Sequence, residues 1–258
     1  EIKRQKIVKN AFLLGLVFIL IIAFILYRNM RVKIKINRVL DKQKAEIESL
    51  LLNILPAKIA EELQLKGKAT PRNYESVTVL FTDFKGFTKI AEGLTPGELV
   101  EELNIFFKAF DNIVDKYQLE KIKTIGDAYM CAGGIPSETD DHPHKVVKAG
   151  LDMQDFMNEF NKNQKSNGKQ PWGLRVGVHT GPVVAGVVGK KKYAYDIWGN
   201  TVNIASRMES NGEVGKVNVS SATFELTKNH FKCKYRGKIS AKNVGEIDMY
   251  FVENGLSQ

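Results

Sequence analysis

Cysteine is scarce: the 258 residues include only Cys131 and Cys233. They lie far apart and form no CxxC pair, so neither a disulfide framework nor a structural zinc site is available, and a reducing compartment fits best. Also missing are GxxxxGK[ST] and a GxGxxG after the first strand, which removes the P-loop and dinucleotide-fold readings. There is only one long apolar run, so a multi-pass membrane protein is excluded. A hydrophobic content of 43% and a charged content of 26% likewise exclude a disordered tail or a collagen-like repeat. The chain is long enough for one or two folded domains.

The net charge of +9 is unevenly placed. The first 50 positions carry 11 Lys and Arg against 4 Asp and Glu, whereas the other 208 carry 27 against 25. A nucleic-acid-binding domain needs basic residues across its own folded face; here the excess brackets one apolar run, so no nucleic-acid partner is expected. That run, Ala11 to Tyr27, has 17 residues without a charge. At ~1.5 Å per residue it reaches roughly 26 Å, and snorkelling flanks close the gap to a hydrocarbon core of about 30 Å. The competing reading is a signal-peptide core. No small-residue cleavage site follows, and basic residues continue through Arg31, Lys33, Lys35 and Arg38, which favours a single membrane span. The seven Lys and Arg from Arg28 to Lys44 put the C-terminal flank in the cytosol by the positive-inside rule, where they meet anionic lipid headgroups. The chain opens at Glu1 without Met, so a fragment of a longer protein with an upstream sensor region is expected.

Beyond the span, Ile36, Leu40, Gln43, Ile47, Leu50, Ile54 and Ala57 recur at spacings of four and three, an a/d seam with one polar position. It reads as a short parallel coiled coil; an amphipathic helix lying against the following domain is the other arrangement the pattern allows. Pro56 should end or kink the helix, and residues 66–71 look like a loop into a soluble domain. The expected organisation is a transmembrane segment with flanks over 1–29, a helical linker over 30–69 and a catalytic domain over 70–258.

Within that domain, 77–82 is a strand, Pro96 to Tyr117 a long amphipathic helix, and Leu119 to Ile125 a strand with a hairpin partner at Ala128 to Ala132. A helix from about His142 to Asn161, a strand at Leu174 to Thr180 and another at Val183 to Val188 after a Gly-Pro turn complete an α+β pattern with antiparallel pairs. Asp83 and Asp127 each sit where a strand stops. Adjacent strand ends can bring two carboxylates together, and paired carboxylates suit hard divalent cations such as Mg²⁺ or Mn²⁺. Taken singly, each Asp reads as a turn or cap residue, so the inference needs both. The other conspicuous residues read as structural: His142 and His144 as part of a helix-start loop, His179 as a satisfied core residue, Lys190 to Lys192 as a hairpin tip, and Phe106, Phe107 and Phe110 as core or dimer contacts.

Four stretches carry more than composition: FTDFKGFT at 81–88, KIKTIGDAYM at 121–130, RVGVHTG at 175–181 and YDIWGNTVNIASRME at 195–209. Together they resemble the class III nucleotidyl cyclases, from about residue 75 to 253. The resemblance implies a ferredoxin-like palm with Asp83 and Asp127 as ligands of two divalent cations. It also implies that the backbone of Phe84, Gly86, Phe87 and Thr88 is turned toward a triphosphate. Lys123 and Asp196 match the pair that reads adenine, Lys donating to N1 and Asp accepting from N6. Guanylyl cyclases typically carry Glu and Cys there, so the resemblance implies ATP over GTP.

Asn203 and Arg207, four apart, share a helix face; the resemblance makes Asn203 the ribose-orienting group and Arg207 the donor to charge building on the α-phosphate. SAKNVGEIDMYFV at 240–252 is a looser match, with Asn243 where the family has glycine, and it makes Lys242 a phosphate ligand. Because one chain carries both half-sites, a symmetric homodimer is implied. A guanylyl cyclase and a catalytically inactive cyclase-like dimerisation module stand as the alternatives.

Overall fold

The computed structural model describes residues 1–166, 168–189, 193–241 and 245–253, and it divides into two compact units, Glu1–Ile54 and Leu55–Gln258. The first unit is built on one helix, α1 (Ile2–Leu52), none of whose residues is buried. It is long and apolar enough to cross a membrane by length and composition. It runs without a break through the apolar run and through the seam as far as Leu50, so the seam positions Ile54 and Ala57 lie beyond its end.

In the second unit, Pro56 precedes a second helix, α2 (Ala57–Lys66), as its N-cap residue. Leu55, Ile59 and Ala60 are buried, so the helix that the sequence puts in the linker folds with this unit. Glu62 ties the helix to the strand that follows: its carboxylate accepts from Thr70 Oγ1 at 2.6 Å, Arg72 Nη2 at 3.0 Å and Lys66 Nζ at 3.3 Å. The Thr70 hydroxyl and then the two cations hold this carboxyl down to about 2, against the opposing effect of burial.

Four strands, β1 (Arg72–Lys85), β2 (Glu120–Ile125), β3 (Ala128–Gly133) and β4 (Gly173–Val188), lie in the order β2-β3-β1-β4, all antiparallel. A short helix, α3 (Phe87–Ala91), and a long one, α4 (Pro96–Lys116), join β1 to β2, and α5 (His142–Ser166) joins β3 to β4. This is the ferredoxin-like palm expected from the motifs. Beyond it, β5 (Ala194–Trp198) pairs with the second half of β4 and leads into α6 (Asn200–Ser210). The sheet then continues through β6 (Val217–Ser220), parallel to β4, to β8 (Gly245–Glu253) and β7 (Lys232–Ala241), with α7 (Ser221–Thr227) after β6.

Local sequence accounts for the best-defined pieces. Thr95 and Glu98 form a reciprocal capping box at the start of α4, with Pro96 as the first helical residue. The pleat of the β1–β4 ladder then sorts side chains by face. Leu80 and Val176 meet Gly150 of α5, and Phe84 packs against Phe106 and Trp172, with ring centroids 5.0 and 5.4 Å away. Asp83, Arg175 and Gly177 fall on the opposite face, beneath α6.

The sequence predicts two strands around Gly181-Pro182, whereas β4 is one strand of 16 residues. A register shift against β1, between Tyr74 and Val77, takes up the proline, and pairing resumes at Tyr74 with Val183. A bulge is one of the few places where a ladder tolerates proline, because the missing N–H is not needed there.

Candidate functional site

The site begins where β1 and the β2–β3 hairpin end side by side. Asp83 lies two residues before the end of β1, and Asp127 lies in the turn from β2 to β3, the strand next to β1. The Asp83 carboxylate is near enough for its charge to act on the Asp127 carboxyl. Burial, and then the Asp83 charge, push the Asp127 carboxyl above its ordinary value, while the backbone N–H groups of Asp127 and Phe84 oppose the shift.

Asp83 is also paired across the ladder with Arg175. The Arg175 Nη2 lies 2.6 Å from Asp83 Oδ2 and 2.8 Å from Glu209 Oε1 on α6. Glu209 is only 6% exposed, and burial raises its carboxyl while Arg175 opposes the rise. The approach of α6 depends on Gly177. A Cβ at that position would sit 1.9 Å from the backbone nitrogen of Glu209, a distance no side chain permits.

A second pair lies on β2 and β5: Lys123 Nζ is 2.5 Å from Asp196 Oδ2, and Asp196 Oδ1 accepts from the backbone N–H of Ile197 at 2.9 Å. On α6, Asn203 is exposed, and Arg207, one turn later, donates from Nη1 to the Ser240 carbonyl at 2.9 Å. Gly86 has φ 75° and precedes α3 as its N-cap residue. Open space surrounds the position where a Cβ would be, so the left-handed backbone, and not crowding, explains glycine there. Phe87 and Thr88 open α3, Phe87 half-buried and Thr88 exposed. The Phe84 ring is a core side chain at 1% exposure, and only its backbone reaches the site, through the N–H given to Asp127.

The sequence pattern of the family described as "Adenylate and Guanylate cyclase catalytic domain" matches residues 69–254. The chain belongs to the class III nucleotidyl cyclases. An adenylate cyclase of Mycobacterium tuberculosis is 41% identical over 219 residues, 83% of this chain and 48% of that protein, so the chain spans about half the length of this relative. Among solved structures, the adenylyl cyclase CyaB of P. aeruginosa superposes with a TM-score of 0.68 at 29% identity, over 72% of this chain and 97% of that one. The guanylate cyclase domain of a Catenaria anguillulae protein, solved in complex with GTP, gives a TM-score of 0.66 at 32% identity, over 70% of this chain and 98% of that one.

The cyclase domain thus brings together Asp83 with Asp127 and Lys123 with Asp196, and sets Asn203 and Arg207 on one helix. Lys242 and the Lys190 to Lys192 tip lie outside the described residues. Among the described residues no group of three or more His, Cys, Asp or Glu is placed to hold a metal ion. The two carboxylates that the motifs mark for a cation, Asp83 and Asp127, form a smaller group than that. They fit a hard divalent ion, since two neighbouring carboxylates, one of them raised by burial and by its neighbour's charge, are relieved by a positive charge between them. Two residues go unassigned in the sequence, Arg175 and Glu209. Both lie inside the recognised motifs, but only the β1–β4 register and the seating of α6 show that they converge on Asp83.

Proposed function

We propose that this cyclase is a membrane-anchored adenylyl cyclase, closing ATP to 3′,5′-cyclic AMP and pyrophosphate at a homodimer interface. The observation that carries the choice of ATP is the Lys123–Asp196 pair at 2.5 Å. One member offers a donor and the other an acceptor, the polarity that adenine N1 and N6 require and guanine opposes. Set against guanine, the same two groups would lose their partners, at a cost of about 1–3 kcal/mol each.

In this reading Asp83 and Asp127 hold two divalent cations. Such cations, when bound, lower the pKa of the ribose 3′ hydroxyl and neutralise the triphosphate. Asn203 orients the ribose, and Arg207 supplies a fixed donor fork to charge that builds on the α-phosphate. The backbone from Phe84 to Thr88 lines the triphosphate, and Lys242 adds a phosphate contact. No side chain need act as general base, because this chemistry depends mainly on positioning and charge compensation. Each half-site is useless alone, so the active unit is the symmetric pair. The long α1 is the single-pass anchor, with the catalytic domain on the cytosolic side, the seam pairing two copies and signals from an upstream region passing along it.

The test is an assay of the purified chain with ATP or GTP, each with Mg²⁺ or Mn²⁺, detecting the cyclic product. Cyclic AMP formed well in excess of cyclic GMP is expected. An equal or greater yield of cyclic GMP overturns the substrate assignment, and no cyclic product under any condition overturns the catalytic reading.

A further inference from the structure

The Arg175 guanidinium stands between two carboxylates and satisfies only one of them well. Toward Asp83 it makes a hydrogen bond of 2.6 Å. Toward Glu209 it is as close as 2.8 Å, yet Glu209 Oε1 has no partner in hydrogen-bond geometry, and neither does the buried Arg175 Nε. A spare donor and a spare acceptor, both buried, lie on neighbouring side chains.

Buried donors and acceptors left unmade are costly, so two such groups side by side mark a second seat for the guanidinium. In that seat it turns from Asp83 and pairs with Glu209 through two parallel N–H donors, the geometry a guanidinium and a carboxylate favour. The backbone there is built for this closeness, because glycine at position 177 lets Glu209 press onto β4. The other Glu209 oxygen is already held, accepting from Ser210 Oγ at 3.0 Å, and the Ser210 carbonyl accepts from Arg175 Nη1 at 3.4 Å.

Asp83 is a proposed cation ligand, and here one of its oxygens is taken by a side chain that never loses its charge. A divalent cation on Asp83 repels a guanidinium 2.6 Å away, and a guanidinium whose side chain is only 20% exposed is best received by another carboxylate. We infer that Glu209 is the holding carboxylate for Arg175: it receives the guanidinium when a divalent cation takes Asp83, and thereby sets the metal affinity of the site. Glu209 is in this role a positioning residue. The inference rests on the reading of Asp83 as a metal ligand.

The experiment is titration of the purified, metal-free full chain with Mn²⁺ alone, reading free Mn²⁺ from its electron paramagnetic resonance signal. Glu209→Gln should weaken Mn²⁺ binding about tenfold or more, since Arg175 then has only Asp83 to pair with. Arg175→Gln should bind Mn²⁺ at least as tightly as the unaltered chain, and adding Glu209→Gln to it should change nothing further. An unchanged affinity in Glu209→Gln, or an equal loss with Arg175 already removed, overturns the holding role.

Asp83→Asn separates the two layers of argument. If it abolishes Mn²⁺ binding, a null result at Glu209 counts against the holding role alone; if it does not, the metal assignment fails and the inference with it. Circular dichroism melts check that each variant folds. Should Glu209→Gln fail to fold, Glu209→Asp decides, because it keeps the charge but shortens the reach, and a weakened Mn²⁺ affinity is again expected only while Arg175 is present.

Discussion

The Lys123 ammonium lies 2.5 Å from the Asp196 carboxylate, although 73 positions separate them in the chain. Asp196 is 19% exposed and Lys123 40%, so the pair is open enough to receive a base and sheltered enough for its polarity to matter. The two side chains neutralise each other before any ligand arrives.

Changing one member alone should be worse than changing both. Lys123→Glu sets two carboxylates against each other and reverses one hydrogen bond, so kcat/KM for ATP should fall by roughly 10²-fold or more, the equivalent of about 3 kcal/mol. The double change Lys123→Glu with Asp196→Cys removes the repulsion and presents the polarity suited to guanine. Its ratio of GTP to ATP turnover should rise well above that of the unaltered chain. Steady-state assays with both nucleotides check this, and an unaltered ratio would remove the pair from base selection.

Complementation tests the shared site. A chain with Asp83→Ala and a chain with Arg207→Ala should each be inactive as homodimers. Mixed and allowed to exchange, they should form heterodimers in which one of the two sites has every residue intact. Under random pairing half of the dimers are mixed, so recovery to roughly a quarter of the activity of the unaltered chain is the expected outcome. Activity that stays at background in the mixture, with exchange confirmed by differently tagged chains, would count against a site built from two subunits.

Much of the fold was legible because its signals are local. Thr95, Pro96 and Glu98 announce the start of α4, and the alternation around Val77 to Thr82 announces β1. The apolar run from Ala11 announces a helix with no polar interruption. What was not legible depends on pairing between distant strands. Nothing near Pro182 shows that β1 extends back to Arg72 and offers Tyr74 a partner in Val183, so a turn is the natural reading of Gly-Pro. The site divides the same way. Asp83 and Asp127 are marked by strand ends and Lys123 by its motif, whereas Arg175 becomes visible only once the ladder puts it opposite Asp83. Glu209 is visible only because Gly177 lets α6 settle on β4.

That glycine supplies a structural prediction. In Gly177→Ala the new methyl would meet the backbone of Met208 and Glu209 at 1.9 to 2.5 Å, and backbone cannot swing aside as a side chain can. Helix α6 must lift, carrying Asn203, Arg207 and Glu209 with it. Stability should fall by about 1–3 kcal/mol, and turnover should fall by more than 10²-fold if Asn203 and Arg207 act as proposed, because an ångström of displacement costs that much at a reacting centre. Gly150→Ala is the control: its methyl would meet only side chains, at 3.2 to 3.5 Å, and should cost less on both measures. Chemical denaturation together with activity assays on both variants checks the contrast.

The last prediction concerns acid. A chain of hydrogen bonds runs through the buried interior from His142 Nδ1 to Thr78 Oγ1 at 2.8 Å, and on to Thr180 Oγ1 at 2.8 Å and Thr223 Oγ1 at 3.0 Å. It continues to Ser220 Oγ at 3.4 Å and ends on His179 Nδ1 at 2.6 Å. Each hydroxyl has one proton to give, so the chain has a direction: one imidazole donates into it and the other accepts from it. Protonating both imidazoles makes both ends donors and leaves the four hydroxyls with one proton too many for the three links between them. Burial independently lowers the His179 pKa to about 4 and lowers that of His142, the nearby Asp140 and Asp141 opposing the shift at His142. Between about 6.5 and about 4 the unfolded chain therefore binds protons that the folded chain refuses. Stability is complete above the upper value and is lost as pH falls through that window, by on the order of 3 kcal/mol for His179. Urea unfolding from pH 7 down to pH 4 should show this decline. His179→Gln, which keeps an amide near Ser220 but cannot titrate, should be less stable at pH 7 and should lose less on acidification. If the two proteins decline in parallel, the imidazole at 179 is not the group that acid attacks.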